Sequence, residues 1–249
     1  MIEARHIDKS FNGQQVLKDI SVKFYPGKTN LIIGRSGSGK TVLMKCLIGL
    51  YEIDAGEILY NNRIFSSLSF RQKKVIRQEI GMLFQGGALF DYMNVEENVG
   101  FPLKMFSGMT VAEQQDRINF CLNRVNLKNA NKLMPSQLSG GMMKRVAIAR
   151  AISLNPKYLF CDEPNSGLDP QTANLIDNLI CEITQEYNIT TVINTHDMNS
   201  VVEIGENIVF INDGQLWWEG NSREILESDN DVLNKFVFAS KLIRKLKTR

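Results

Sequence analysis

The sequence predicts an α/β fold: a mostly parallel sheet with an antiparallel β-subdomain at its N-terminal side and a helical subdomain inserted in its middle. Three observations carry this. The opening stretch IEARHIDKSFNGQQVLKDISVKFYPGKTNLIIG alternates apolar and polar residues around Asn12-Gly13, as a hairpin does. From Thr29 the pattern changes to strand (TNLIIG), glycine-rich loop and helix (TVLMKCLIGL), the first βα unit of a parallel sheet. Residues from about Ala88 to Ala151 read as mostly helical, and strands and helices alternate again after them.

Each later element has its own signal. In TVAE, Thr110 and Glu113 form a capping box ahead of QQDRINFCLNRV. The segment QLSGGMMKR, Gln137 to Arg145, opens a helix with a Ser-Gly-Gly step. KYLFCDE reads as a buried strand, and Pro170 behind Asp169 opens a further helix. TTVINTHD is the next strand, and NIVFINDGQLWW turns at Asp213-Gly214 into a hairpin. Beyond a domain spanning residues 1–225, with its helical part at about 88–151, residues 226–249 form a C-terminal extension. There Val232, Phe236, Ala239, Ile243 and Leu246 recur at helical spacing behind the capping stretch ESDND, which predicts a short amphipathic helix. The final KLIRKLKTR carries five basic residues and no acid, a solvated tail or a contact for anionic headgroups.

Composition narrows the function classes. With 249 residues, 43% of them hydrophobic, the chain can bury a large core as one domain or a core with a subdomain. A formal charge of +2 gives no footprint for nucleic acid, so no nucleic-acid partner is expected. Cys46, Cys121, Cys161 and Cys181 are isolated, which suggests neither zinc nor disulfides and fits a reducing cytoplasm. MIEARHIDKSF is too polar for a signal peptide, and no apolar run approaches the ~18 residues of a membrane span. Any membrane role is expected to come through a partner.

GRSGSGKT, Gly34, Arg35, Ser36, Gly37, Ser38, Gly39, Lys40 and Thr41, matches GxxxxGK(S/T) between a strand and a helix. Its glycines let backbone N–H groups wrap phosphate oxygens, Lys40 adds a point charge toward the β- and γ-phosphates of ATP, and the Thr41 hydroxyl suits Mg²⁺. In YLFCDE the strand delivers two carboxylates to the end of a parallel sheet where ligands bind. Asp162 is placed for the Mg²⁺ shell and Glu163 to orient or deprotonate water; a bland alternative is an acidic pair capping the next loop. The helix N-terminus at Ser139, Gly140 and Gly141 is a second phosphate reader, although the first loop already cradles one nucleotide.

At these residues the sequence resembles the ATP-binding cassette (ABC) family, over roughly residues 1–225. The signature LSGGQ stands here as Leu138, Ser139, Gly140, Gly141, Met142. The resemblance implies the P-loop NTPase fold of an ABC nucleotide-binding domain and a head-to-tail homodimer in which each signature closes over the ATP of the other chain. It also implies that Phe11 stacks on adenine, that Gln85 in MLFQGG touches Mg²⁺ or water and senses a membrane partner, that Ser166 to Asp169 crosses between the two sites, and that His196 contacts the γ-phosphate. With two histidines in the chain, a His metal cluster is excluded. Met142 replaces the usual Gln and Asn165 the usual Thr or Ser, but no phosphate donor or carboxylate is lost, so an active ATPase is expected.

The implied role is to power a separate multi-span permease from the cytoplasmic face of the inner membrane. Leu89, Phe90, Tyr92 and Met93 are expected to be exposed beside Gln85 as its docking groove, with burial in the helical subdomain as the alternative. For cargo, FQGGALFDYMNVEENVGFPL, LSGGMMKRVAIARA and Met142 look most like the Mla/Mce-type phospholipid transporters, which implies an Mce-type lipid-binding protein as a further partner. Amino-acid importers share much of the same segment. A division or lipoprotein-export subunit stays open, whereas a DNA-repair relative would need a long coiled coil and a ribosome-associated one a second cassette. The added regulatory domain of many sugar-importer ATPases is not expected within these 249 residues.

Overall fold

The computed structural model describes residues 1–238. The first two strands, β1 (Ile2–Phe11) and β2 (Gln14–Phe24), form the expected hairpin. Asn12 and Gly13 both have positive φ, the backbone that a two-residue turn between right-twisted strands requires. Then come β3 (Thr29–Ile33), α1 (Lys40–Leu47), β4 (Ala55–Tyr60), β5 (Arg63–Ile64), α2 (Phe70–Gln78) and β6 (Ile80–Leu83). The helical stretch holds α3 (Val95–Phe106), α4 (Val111–Arg124) and α5 (Gly140–Ala151). After it follow β7 (Tyr158–Asp162), α6 (Pro170–Glu186), β8 (Thr190–Asn194), α7 (Met198–Ile204), β9 (Asn207–Asn212), β10 (Gln215–Gly220), α8 (Glu224–Glu227) and α9 (Asp231–Val237).

Two sheets result. The antiparallel one has the order β2-β1-β4-β5, and the other runs β10-β9-β3-β8-β7-β6, parallel except for the β9–β10 hairpin at its edge. Alternation along the central strands sorts their side chains to two faces. Leu31, Ile33, Leu159, Cys161, Ile193 and Phe210 face the core shared with α5 and α6. Ile32, Phe160, Val192, Val209 and Ile211 face the second core, shared with α1 and the antiparallel sheet.

Local signals hold where the chemistry is local. The Thr110 side chain accepts from the Glu113 N–H, closing the predicted box on α4. Asp213 and Gly214 both have positive φ at the β9–β10 turn. Asn230 caps α9 by accepting from Val232 and Leu233. Helix α9, Asp231–Val237, contains Val232 and Phe236 of the expected C-terminal helix, while Ala239, Ile243, Leu246 and the basic ending lie outside the described residues. All four cysteines are free, and burial pushes the Cys46 and Cys121 thiols up to about 11, which suits packing rather than reactivity.

Candidate active site at the strand ends

Four neighbouring parallel strands each end in a residue of interest. β3 runs into the phosphate loop and α1, β8 ends at Asn194 two residues before His196, β7 ends at Asp162, and β6 leads to Gln85. The topology, rather than sequence proximity, therefore assembles the site at the carboxyl edge of the sheet.

The phosphate loop is shaped by close packing. Gly34 has φ +150, and a β-carbon there would overlap the Ile211 carbonyl oxygen; at Gly39, φ +105, it would lie 2.9 Å from Leu17 Cδ2. Lys40 is 7% exposed and its Nζ donates to the Arg35 carbonyl at 2.9 Å. Burial lowers its pKa, and the Glu163 and Asp162 carboxylates oppose that. Ser38 Oγ is buried with no partner. A buried hydroxyl left unpaired beside a lysine inside a ring of backbone donors fits a phosphate oxygen.

Asn194 ties two of the expected metal residues together. Its Nδ2 donates to Asp162 Oδ1 at 2.6 Å and to Thr41 Oγ1 at 3.0 Å. Burial raises the Asp162 carboxyl, the Asn194 bond pulls it down, and Glu163 pushes it up again. Hydroxyl and carboxylate oxygens held together suit a hard divalent cation such as Mg²⁺ that keeps water and substrate phosphates as its other ligands. Among the described residues no group of three or more His, Cys, Asp or Glu forms a metal cage. Nothing in the local sequence marks Asn194, because both partners come from other elements.

Glu163 sits one residue beyond the strand in a left-handed conformation, φ 47, fixed by its N–H donating to the Asn194 carbonyl at 2.8 Å. Its carboxylate meets two partners. Gln85 Nε2 donates to Oε2 at 2.7 Å, and His196 Nδ1 lies 3.0 Å from Oε1. Gln85 and His196 thus both meet Glu163, while Thr41 and Asp162 meet through Asn194. Lys144, also missed in the sequence, reaches in from α5: its Nζ donates to the Gln85 carbonyl and lies 3.5 Å from that of Glu163.

The other expected residues lie apart. Ser139 caps α5 by accepting from Met142 N–H at 3.3 Å, and Ser139 and Gly140 are exposed. No hydrogen bond or ion pair among the described residues links residues 139–141 to residues 34–41. Asp169 spends its carboxylate on α6, accepting from Gln171 and Thr172 N–H at 3.1 Å and from Thr172 Oγ1 at 2.6 Å. Phe11 is exposed on the β1–β2 hairpin, edge-on to Tyr51 at 5.1 Å with Lys9 over its ring.

The docking expectation needs correcting. Tyr92 is 74% exposed, but Phe90 and Met93 are half-buried and Leu89 packs on the core. Buried Asn98 on α3 holds this loop, bonding both Phe90 backbone groups and the Met93 carbonyl. The apolar opening lies beside it: a groove of about 380 Å³ between edge strand β6 and α3, lined by Met82, Phe84, Phe90, Phe101 and Phe106. Arg150 closes its floor, donating to the Gly87 and Ala88 carbonyls at 2.7 Å.

Comparison with known proteins agrees with this architecture. The sequence pattern of the ABC transporter family matches residues 17–166. The chain is similar to the methionine import ATP-binding protein MetN of Clostridioides difficile, 35% identical over 98% of this chain and 75% of the relative. It is also similar to the probable ribonucleotide transport ATP-binding protein mkl of Mycobacterium leprae, 34% identical over 95% of this chain and 68% of the relative. Among solved structures, a dimeric ATP-binding cassette in a post-hydrolysis state bound to ADP and Pi superposes with a TM-score of 0.80 at 32% identity, covering 90% of this chain and 99% of that one. CbiO1 of Clostridium perfringens, part of an ABC transporter complex, does so with a TM-score of 0.86 at 26% identity, over 99% and 98% of the two chains. Fold, phosphate loop and relatives converge: this protein belongs to the ABC transporter family and is one of its ATP-hydrolysing cassettes.

Proposed function

We propose that two copies of this chain close head-to-tail around two ATP molecules and thereby drive a separate multi-span permease, with Glu163 as the general base. The observation that carries this reading is the Gln85–Glu163–His196 cluster, complete within one chain, while the Ser139–Gly141 helix start is exposed and apart from the phosphate loop. The missing donor set then comes from a second copy, and the similar ATP-binding cassette bound to ADP and Pi is itself dimeric. Phe11 is assigned to the adenine, residues 34–41 to the phosphates, and Asp169 to the subunit boundary.

In this reading Glu163 takes a proton from a water at one carboxylate oxygen while Gln85 and His196 hold that carboxylate in place. The water oxygen bonds the γ-phosphorus, the bond to the β,γ-bridging oxygen breaks, and ADP leaves with the electron pair. Lys40 and the loop N–H groups stabilise the charge that spreads over the phosphoryl oxygens. Thr41 and Asp162 would hold Mg²⁺, which neutralises the β- and γ-phosphates when bound. We assign the apolar groove between β6 and α3 to a cytoplasmic helix of the permease.

Nothing in a cassette touches cargo, and fold alone does not identify it. The names of several relatives favour a small solute such as an amino acid over phospholipid, so we place amino-acid import first. Phospholipid transport with an Mce-type protein is the second reading, resting on the 84–103 segment and on Met142 in the signature. Mass spectrometry of proteins and lipids co-purifying from gently solubilised membranes separates them. A permease with a solute-binding protein supports import, and an Mce-type protein with bound phospholipid overturns it.

A further inference from the structure

Three polar side chains are buried together beneath the loop that follows Glu163, outside the cluster described above. Asn165 is 9% exposed, and Ser200 and Asp177 are each 2% exposed. They come from three places: the loop between β7 and α6, the first turn of α7, and the middle of α6. Asn165 Nδ2 donates to Ser200 Oγ at 3.0 Å. Burial pushes the Asp177 carboxyl up, hydrogen bonds from the Ser200 and Asn165 side chains pull it down, and Asp197 and Glu203 push it up again. Asn165 Oδ1 and Asp177 Oδ1 remain without partners.

Such an arrangement is a poor way to build a core. Buried polar groups with incomplete partners cost free energy that an apolar trio of the same shape would avoid. Its position gives it another use. Asn165 directly precedes the Ser166–Asp169 loop, and Ser200 follows His196 by four residues on the helix that Asp197 caps. Above the trio lies a cavity of about 430 Å³ lined by Glu163, Asn165, Ser166, His196 and Asp197. The Asn165–Ser200 bond of 3.0 Å ties loop to helix, and a desolvated hydrogen bond weakens steeply when its partners separate.

We propose that Asp177, Asn165 and Ser200 form a buried joint that couples the Ser166–Asp169 loop to the helix carrying His196, making Asp177 a positioning residue for ATP hydrolysis. It rests on the proposed role of Glu163 and His196 and extends it to a side chain that touches neither substrate nor base. When a second subunit moves the loop, the joint passes that movement to His196.

The test uses the full chain with Asp177→Leu, Asp177→Asn, Asn165→Ala, Ser200→Ala and the Asn165→Ala/Ser200→Ala double variant. Expected is a tenfold or greater fall in kcat for Asp177→Leu and Asn165→Ala, with KM and the Kd of a fluorescent ATP analogue within twofold. Asp177→Asn, which keeps shape and hydrogen-bonding capacity, recovers to within threefold, and the double variant is no slower than the worse single one. Values of kcat within threefold of wild type throughout, or an Asp177→Asn as slow as Asp177→Leu, overturn the joint. Should Asp177→Leu fail to fold, the Asn165 and Ser200 variants carry the same comparison. Amide hydrogen exchange gives a readout independent of hydrolysis: residues 166–169 and 196–204 loosen together if the joint links them. Loosening of one segment alone overturns it, even if the ATPase reading itself fails because the wild-type chain turns over no ATP.

Discussion

Glu163→Gln isolates the base from everything else the side chain does. Glu163 accepts from Gln85 at 2.7 Å on one oxygen and meets His196 Nδ1 at 3.0 Å on the other. Gln is isosteric: its amide oxygen still accepts from Gln85, and its amide nitrogen donates to His196 when Nδ1 is unprotonated. Both contacts therefore survive and only proton abstraction is lost. Loss of a general base costs about 10²- to 10⁴-fold, or roughly 3 to 5 kcal/mol of barrier at 1.36 kcal/mol per decade. Phosphate release measured at saturating ATP should fall by that factor, while the Kd of a fluorescent ATP analogue stays within twofold. Hydrolysis within threefold of wild type would refute the assignment of the base. A weakened Kd would instead show that the carboxylate holds the nucleotide.

Three other outcomes are expected. Gly34→Ala introduces a β-carbon onto the Ile211 carbonyl at φ +150 and should destabilise the fold by more than about 2 kcal/mol in urea titration. Lys40→Met should abolish detectable ATP-analogue binding while the urea midpoint stays near wild type or rises, because burial already disfavours its charge. Hydrogen bonds from Thr172 hold the Asp169 carboxyl below its ordinary 3.8. Its cap therefore stabilises α6 above that value and loses this as pH falls through the lowered one. Asp169→Ala should lower the thermal midpoint at pH 7 and narrow the difference from wild type toward pH 2.

What the sequence made legible was mostly what neighbours in the chain decide. Asn12-Gly13, Asp213-Gly214 and the Thr110–Glu113 box depend on a few adjacent residues, and each formed as read. The phosphate loop was equally legible, because a contiguous octapeptide carries it. Asn194 was not: its partners Thr41 and Asp162 are 153 and 32 positions away and meet it only once β3, β8 and β7 lie side by side. Tyr92 is exposed as expected, but the exposure of Leu89, Phe90 and Met93 was misjudged for a similar reason. Apolar residues beside a polar loop look open until Asn98, buried on another element, draws the loop inward. Asn165 read as a harmless departure, and its burial against Ser200 and near Asp177 depends on how α6 and α7 pack.

The exposed start of α5 has a consequence for how the chain behaves before it is assembled. If Ser139 and its neighbours serve only the nucleotide of another copy, a solitary chain can hold ATP and yet stay idle. Turnover in dilute solution would then rise with the square of protein concentration, and dilution alone would switch it off. A newly made subunit that has not met a second copy would be silent without any inhibitor, because silence is the default of half a site.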